Sequence, residues 1–375
     1  MKRVFTFIAV VLLCVLLIGG IFVIARGNSD ESTESTQISD SLNDEEESTG
    51  SSDEFPDDNS STSDTQEENS SSGSQEEDSG SGSETPPDSS ESEEDNPQED
   101  VDYSAYIAEG LTMSPGAAVY LGDDQGTTLR FTGYMSADVK SAVDSGEKEV
   151  AFLVAPMDYF DEVNPNNYAY MDWVTEFASA GKTVLYTVIS EGNYQPSGDE
   201  YLVAFQLRNI MYKNINRKYV CMLAVKTSEG YRYSTYLGGA NYRTAARSVA
   251  YVAAASLNGY ALGLEKFSTE EVANLKGYIN QSVDLANGKT TATDDGSMYA
   301  FTMNISAPQY LLVGESFTLT TTVIPDVDIP VWYQSTDESI IQVDDNGKVV
   351  AKAKGTAVVG VYVAGEAFGI TVTVS

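Results

Sequence analysis

Between Asn28 and Asp102 the chain carries 27 carboxylates and no Lys or Arg, with apolar side chains as scattered as Ile38, Leu42 and Phe55 among Ser, Thr, Gly, Asn, Gln and Pro. Such a segment cannot bury enough apolar surface to offset the entropy of ordering it, so residues 28–102 are expected to be a disordered acidic linker. A neutral coil of that length spans on the order of 50 Å, and like-charge repulsion stretches it further at low ionic strength. Two roles are open to it. It is a solvated tether, or it collects cations or a basic partner; the second finds no regular Asp spacing of the EF-hand kind to support it.

On the N-terminal side, Lys2 and Arg3 precede an apolar run from Val4 to Ala25 that only Thr6, Cys14 and the Gly19-Gly20 pair interrupt. That is about the length a helix needs to cross ~30 Å of hydrocarbon. A secretory signal is the competing reading, with Val23-Ile24-Ala25 as its cleavage site, but the run exceeds the roughly 7–15 apolar residues of a signal core. Residues 1–27 therefore read as an N-terminal transmembrane helix and membrane anchor. The positive charges on its short side place the N-terminus in the cytoplasm and the rest of the chain outside, a single-pass arrangement at the cell membrane. Cys14 follows Leu12 and Leu13 within continuing apolar sequence, which suits a membrane cysteine better than an acylated one.

The chain contains no histidine, which removes Ser-His-Asp triads, Cys-His dyads and His-ligated zinc together. Its formal net charge of −36 makes nucleic acid a poor partner, because that affinity begins with cations on phosphates. Cys221 is the only cysteine besides Cys14, so the exported part cannot form an internal disulfide. No catalytic, cofactor or metal site is expected.

Residues 300–375 form a series of short alternating runs separated by turn signals, as in an all-β sandwich. The expected strands are 310–313, 316–324, 331–333, 340–343, 348–353, 357–363 and 367–374, with Asn346-Gly347 in a tight turn. The residues Val313-Gly314-Glu315-Ser316, Trp332, Ser335-Thr336-Asp337, Asn346-Gly347-Lys348-Val349, Ala353-Lys354-Gly355-Thr356-Ala357 and Val372-Thr373-Val374 resemble, in order and spacing, the group 2 bacterial immunoglobulin-like domain (BIG2). That resemblance implies an immunoglobulin-like sandwich of a surface protein, in a spacer or adhesion role. Trp332 is open to two readings, a ligand platform or an inner-strand core residue, and the second is favoured.

Residues 103–299 are long enough to bury a core of their own and hold 20 of the chain's 23 tyrosines. Strands are expected over 117–121, 128–134, 149–155, 183–189, 219–226 and 231–237. Helices are expected over 170–180 and from Ser268, where Ser268 and Glu271 have capping-box spacing, to Asn287-Gly288. The stretches 201–212 and 242–257 fit either structure, and the domain reads as α+β, mainly antiparallel β. Gly116-Ala117-Ala118-Val119, Thr128-Leu129-Arg130-Phe131, Leu153-Val154-Ala155-Pro156-Met157-Asp158-Tyr159 and Arg247-Ser248-Val249-Ala250 resemble an uncharacterised extracellular module of Gram-positive surface proteins.

Three site questions follow for this domain. Tyr231 and Tyr233 share a face of one strand and Tyr242 follows closely, so the three are candidate ligand-binding residues for a cell-wall or host glycan, against the reading that they fill a half-buried sheet. Asp158, Asp161 and Glu162 are the carboxylates from which a glycan hydrolase could draw an acid and a base. Arg130, inside an apolar strand, needs a carboxylate or carbonyl partner if buried, or else marks an anion site. The expectation favoured is a non-catalytic, membrane-anchored surface protein in adhesion, binding or spacing, partnered by a glycan or another surface protein; the alternative is a cell-envelope glycan hydrolase.

Overall fold

The computed structural model describes residues 102–121, 126–292 and 299–375. The expected anchor and acidic linker, residues 1–27 and 28–102, lie outside them but for Asp102. No described helix is long and apolar enough to cross a membrane.

The first module runs β1 (Ile107–Met113), β2 (Ala118–Val119), β3 (Leu129–Ser136), α1 (Ala137–Asp144), β4 (Val150–Pro156), α2 (Met157–Val163), α3 (Trp173–Ser179), β5 (Leu185–Val188), β6 (Gln195–Ser197), β7 (Glu200–Leu207), β8 (Tyr219–Thr227), β9 (Gly230–Tyr236), α4 (Tyr242–Ala245), α5 (Val249–Ala261) and α6 (Thr269–Ala286). The strands join one sheet in the order β5-β4-β8-β9-β1-β3-β7-β6, with β2 on β3. Every pairing is antiparallel except β1 with β9. The sheet curls over itself: Phe152 of β4 and Phe205 of β7 lie 5.6 Å apart between ring centroids although four strands separate theirs in the ladder. Gly133 permits this closure, since a methyl group there would lie 2.8 Å from Met113 Sδ and 2.9 Å from Leu223 Cδ1.

On the other side of β4 and β8 the helices supply an aromatic cluster. Phe160 of α2 sits 4.7 Å from Trp173 and 4.8 Å from Phe177 of α3, and 5.4 Å from Tyr242 of α4. Covered on both faces, β4 and the first seven residues of β8 are buried throughout, which is why they read as unbroken apolar runs. The ambiguous stretch 201–212 contains most of β7, and 242–257 becomes α4 and most of α5. The capping box of α6 forms as its spacing implies: Ser268 N donates to Glu271 Oε2 at 2.7 Å and Glu271 N to Ser268 Oγ at 3.2 Å.

The second module comprises β10 (Ala300–Met303), β11 (Gln309–Leu311), β12 (Ser316–Thr318), β13 (Thr321–Ile324), β14 (Val331–Ser335), β15 (Ile341–Val343), β16 (Lys348–Ala351), β17 (Gly355–Val363) and β18 (Glu366–Val374). Sheets β11-β18-β17-β14 and β12-β16-β15 enclose a core that includes Val359, Val361, Ile370, Ile341 and Val349, with β10 paired to β13. This is an immunoglobulin-like sandwich. The expected strand 316–324 is divided: β12 pairs with β16 and β13 with β10, so the chain changes sheets near Leu319, whose N–H donates to Gly347 O.

Trp332 departs from its expected place in the core. Val331 and Tyr333 pack on the sandwich interior, and strand alternation turns Trp332, half-buried, to the outer face beside Tyr362, its ladder partner on β17.

The two modules share a packed boundary. Val249 and Val252 of α5 face the first core, while Ala250, Ala253, Ala254 and Leu257 join Leu275 and Ile279 of α6 in the core of the sandwich. A helix buried on both sides lacks a clean amphipathic period, which explains the ambiguity of its sequence. At its C-terminal end Asn258, 0% exposed, donates from Nδ2 to Pro330 O at 3.0 Å and accepts at Oδ1 from Gly365 N at 2.9 Å. Gly365, with φ +87°, lies in the β17–β18 turn, and a methyl group there would sit 3.1 Å from Leu257 Cβ. Tyr299 Oη also donates to Val363 O at 3.0 Å.

Candidate functional site

The three tyrosines singled out in the sequence do not form a platform. Tyr233 is 0% exposed; its hydroxyl donates to Asp172 Oδ1 at 3.1 Å and accepts from Val174 N at 2.9 Å, and burial pushes the phenol well above its ordinary pKa. Tyr242 is 3% exposed within the aromatic cluster, where its hydroxyl accepts from Asn164 Nδ2 at 2.9 Å. Tyr231 alone keeps part of its surface, edge-on to Tyr186 at 5.7 Å. The alternation that puts Tyr231 and Tyr233 on one face holds, but α3 covers that face over Tyr233. A ring so covered cannot stack on a sugar, and the ligand-binding expectation for Tyr233 and Tyr242 is corrected accordingly.

The carboxylates of α2 are each directed to a cation. Asp158 takes a two-pronged bond from Arg217, at 3.0 Å to Nε and 2.6 Å to Nη2, Asp161 pairs with Arg243, and Glu162 lies 2.9 Å from Lys182 Nζ. Glycosidase chemistry needs two carboxyl groups facing one bond across roughly 5–10 Å. These three instead fix α2 to separate neighbours. No group of three or more metal-ligating side chains occurs among the described residues.

Arg130 does not find the ion pair expected of it among the described residues. It lies on the half-exposed face of β3 opposite Gln206, with Nε buried and without a hydrogen-bond partner, and desolvation lowers its pKa.

A further surface depression lies on the outer face of the sandwich, the face that also carries Trp332, for which the sequence left a ligand-platform reading open. Across β14, β17 and β18 the ladder aligns Gln334, Gly360 and Gly369 in one row and Trp332, Tyr362 and Ala367 in the next. The two glycines leave the sheet without side chains at that row, and a depression of about 460 Å³ results, bordered by Ser335, Thr336, Val358 and Phe368. Tyr362 lies over Gly360, since an added Cβ would meet its Cε2 at 2.9 Å and its hydroxyl at 3.1 Å. Thr336 Oγ1 accepts from Val358 N at 2.9 Å and ties the depression's end to β17. Glycine inside a strand is a known signal of a bare sheet surface or a close approach, and Gly360 and Gly369 carried it.

No family model matches the chain, and no curated protein matches it. Among solved structures, a chimeric titin Z1Z2-Z1Z2 tandem is 11% identical over 67% of this chain and 91% of its own, with a TM-score of 0.15. Extracellular domains 3-5 of Drosophila OTK are 10% identical over 72% and 67%, with a TM-score of 0.16. The BSP domain of a biofilm associated protein is 10% identical over 71% and 53%, with a TM-score of 0.19. Likenesses this distant carry no argument, and the immunoglobulin-like architecture rests on the strand order and core described above.

Proposed function

We propose that the protein is a non-catalytic surface protein in which residues 1–27 anchor a single span with the N-terminus in the cytoplasm. Residues 28–102 then hold the folded part off the membrane, and two modules, the second a group 2 bacterial immunoglobulin-like domain, are presented outside for adhesion or spacing. The observation that most supports this reading is the joint at Asn258. Its two hydrogen bonds, the shared core of α5 and α6 with the sandwich, and the close approach of Gly365 hold the modules in one orientation. Reach then comes from the tether and fixed presentation from the joint. The partners this suits are a cell-wall or host glycan or another surface protein.

The test is fractionation of cells expressing the full chain or a variant lacking residues 1–27. The full chain is expected in the membrane fraction and resistant to high-salt extraction, whereas the shortened one is not. Recovery of the full chain as a soluble protein refutes the anchor.

A further inference from the structure

We propose that the first module is a load-bearing link in which β1 is a clamp that tension along the chain must shear rather than peel. The inference goes beyond the display reading and takes from it only the load: a module held outside on a membrane anchor is pulled through its N-terminal strand whenever the second module is held.

The load enters through a strand bonded on both sides. β1 is the first strand of the module, yet it lies inside the sheet, with β9, β8, β4 and β5 on one side and β3, β7 and β6 on the other. Past the short turn Ser104–Tyr106, it pairs in parallel with β9, from Ile107 opposite Tyr233 to Met113 opposite Tyr236. On its other side it pairs antiparallel with β3, from Leu111 opposite Met135 to Met113 opposite Gly133. Ala108, Leu111 and Met113 are buried in the core as well. An edge strand gives up one row of bonds when it leaves a sheet, whereas β1 must give up two.

The load leaves at the opposite end. β3 runs on past Gly133 to Leu129, opposite Leu207 of β7, and beyond that pair Ile210 N donates to Thr127 O at 2.9 Å. β8 turns into β9 at Thr227 and Gly230, so Tyr219, at the other end of β8, lies at this far end too. There α5 and α6 attach. Tyr219 and Arg247 exchange backbone bonds at 2.9 and 3.1 Å, Ala250 N donates to Ile215 O at 3.3 Å, and Tyr212 Oη donates to Lys289 O at 3.2 Å. Both helices share the core of the sandwich. Tension therefore draws the N-terminal end of β1 one way and the far end of its neighbours the other, along the strand axis. Ladder bonds lie across that axis, so both rows take the load together and must fail together. Pulled sideways at its N-terminal end, β1 loses them one at a time.

The experiment holds the full chain, in lipid nanodiscs, between two thiol-linked DNA handles in optical tweezers. One handle is on Ser89→Cys in the linker and the other on Lys213→Cys or Glu229→Cys, both at exposed positions. Cys14→Ala removes one native thiol, and Cys221 is buried. Lys213 lies in the far-end loop, so that pull runs along β1; Glu229 lies in the β8–β9 turn beside the entry, so that pull runs across it. Each lifetime under load is taken relative to the unloaded unfolding rate of the same variant from urea kinetics, which cancels any difference in stability. At one constant force, the relative lifetime of the first module is expected to be about tenfold or more longer for the Lys213 pair than for the Glu229 pair. Equal lifetimes, or a shorter one along the strand, overturn the proposal. Either result leaves the display reading standing, because fractionation tests it separately, and a full chain recovered as soluble protein removes the load without touching the clamp.

Discussion

Replacing Asn258 by Ala should uncouple the two modules. The side chain is fully buried, and its removal takes a hydrogen-bond partner from the buried Pro330 carbonyl and from the partly buried Gly365 amide. A buried group left without a partner costs about 1–3 kcal/mol, and the partly buried Gly365 amide loses about 0.5–1.5 kcal/mol, so the two together cost about 1.5–4.5 kcal/mol. Alanine's better helix propensity offsets less than about 0.7 kcal/mol of this. A net loss of about 1–4 kcal/mol is expected, and because the lost bonds cross the boundary, it should fall unevenly. Urea unfolding gives the total, and hydrogen exchange read by mass spectrometry gives its distribution. In the parent, core amides of β8 and β17 should exchange through openings of similar free energy; in the variant those of β17 should exchange sooner. An unchanged urea midpoint together with unchanged exchange in β17 would refute the claim that Asn258 holds the joint.

Gly365→Ala should also weaken the boundary, by about 1–3 kcal/mol in thermal or urea unfolding, because a left-handed φ of +87° and a Cβ 3.1 Å from Leu257 Cβ both oppose the side chain. A neutral result there would mean that the turn can withdraw from α5 without cost. Tyr233→Phe should destabilise by about 0.5–3 kcal/mol in urea unfolding through loss of the Asp172 and Val174 bonds; an unchanged midpoint would mean that these bonds do not hold α3 on the sheet. Stability should fall as pH rises above 10. Burial raises the phenol of Tyr219 to about 12, and of Tyr233 and Tyr236 as well, so the unfolded chain, titrating near 10, releases its protons first. Their contribution is complete below pH 10 and is lost as pH climbs through the folded values, which a denaturation series from pH 8 to 12 read by tyrosinate absorbance will follow.

Much of the fold is legible wherever one local rule suffices. Ser268 and Glu271 are three residues apart before an apolar helical period, and the capping box forms there; Asn346-Gly347 supplies a turn in which Gly347 has φ +76°. Other features depend on contacts remote in sequence. Whether the face bearing Tyr231 and Tyr233 is open depends on α3, some sixty residues earlier, and so the binding role read for Tyr233 did not survive its burial. Trp332 falls to the outer face because Val331 and Tyr333 take the inner one, and a short strand with aromatic residues on both faces leaves that choice undecided. Asn258 carries no motif at all. It is an isolated amide in an Ala-rich helix, and its role appears only when the sandwich is placed against it. The surface depression on the sandwich is similar: its residues come from β14, β17 and β18, and meet only through register.

The most direct test of the account is external proteolysis of intact cells expressing the full chain. A protease that cannot enter the cell should cut within residues 28–102 and release one resistant fragment that begins near Tyr103 and retains both modules. Full protection of the chain would contradict its display outside, and release of the two modules as separate fragments would contradict the joint.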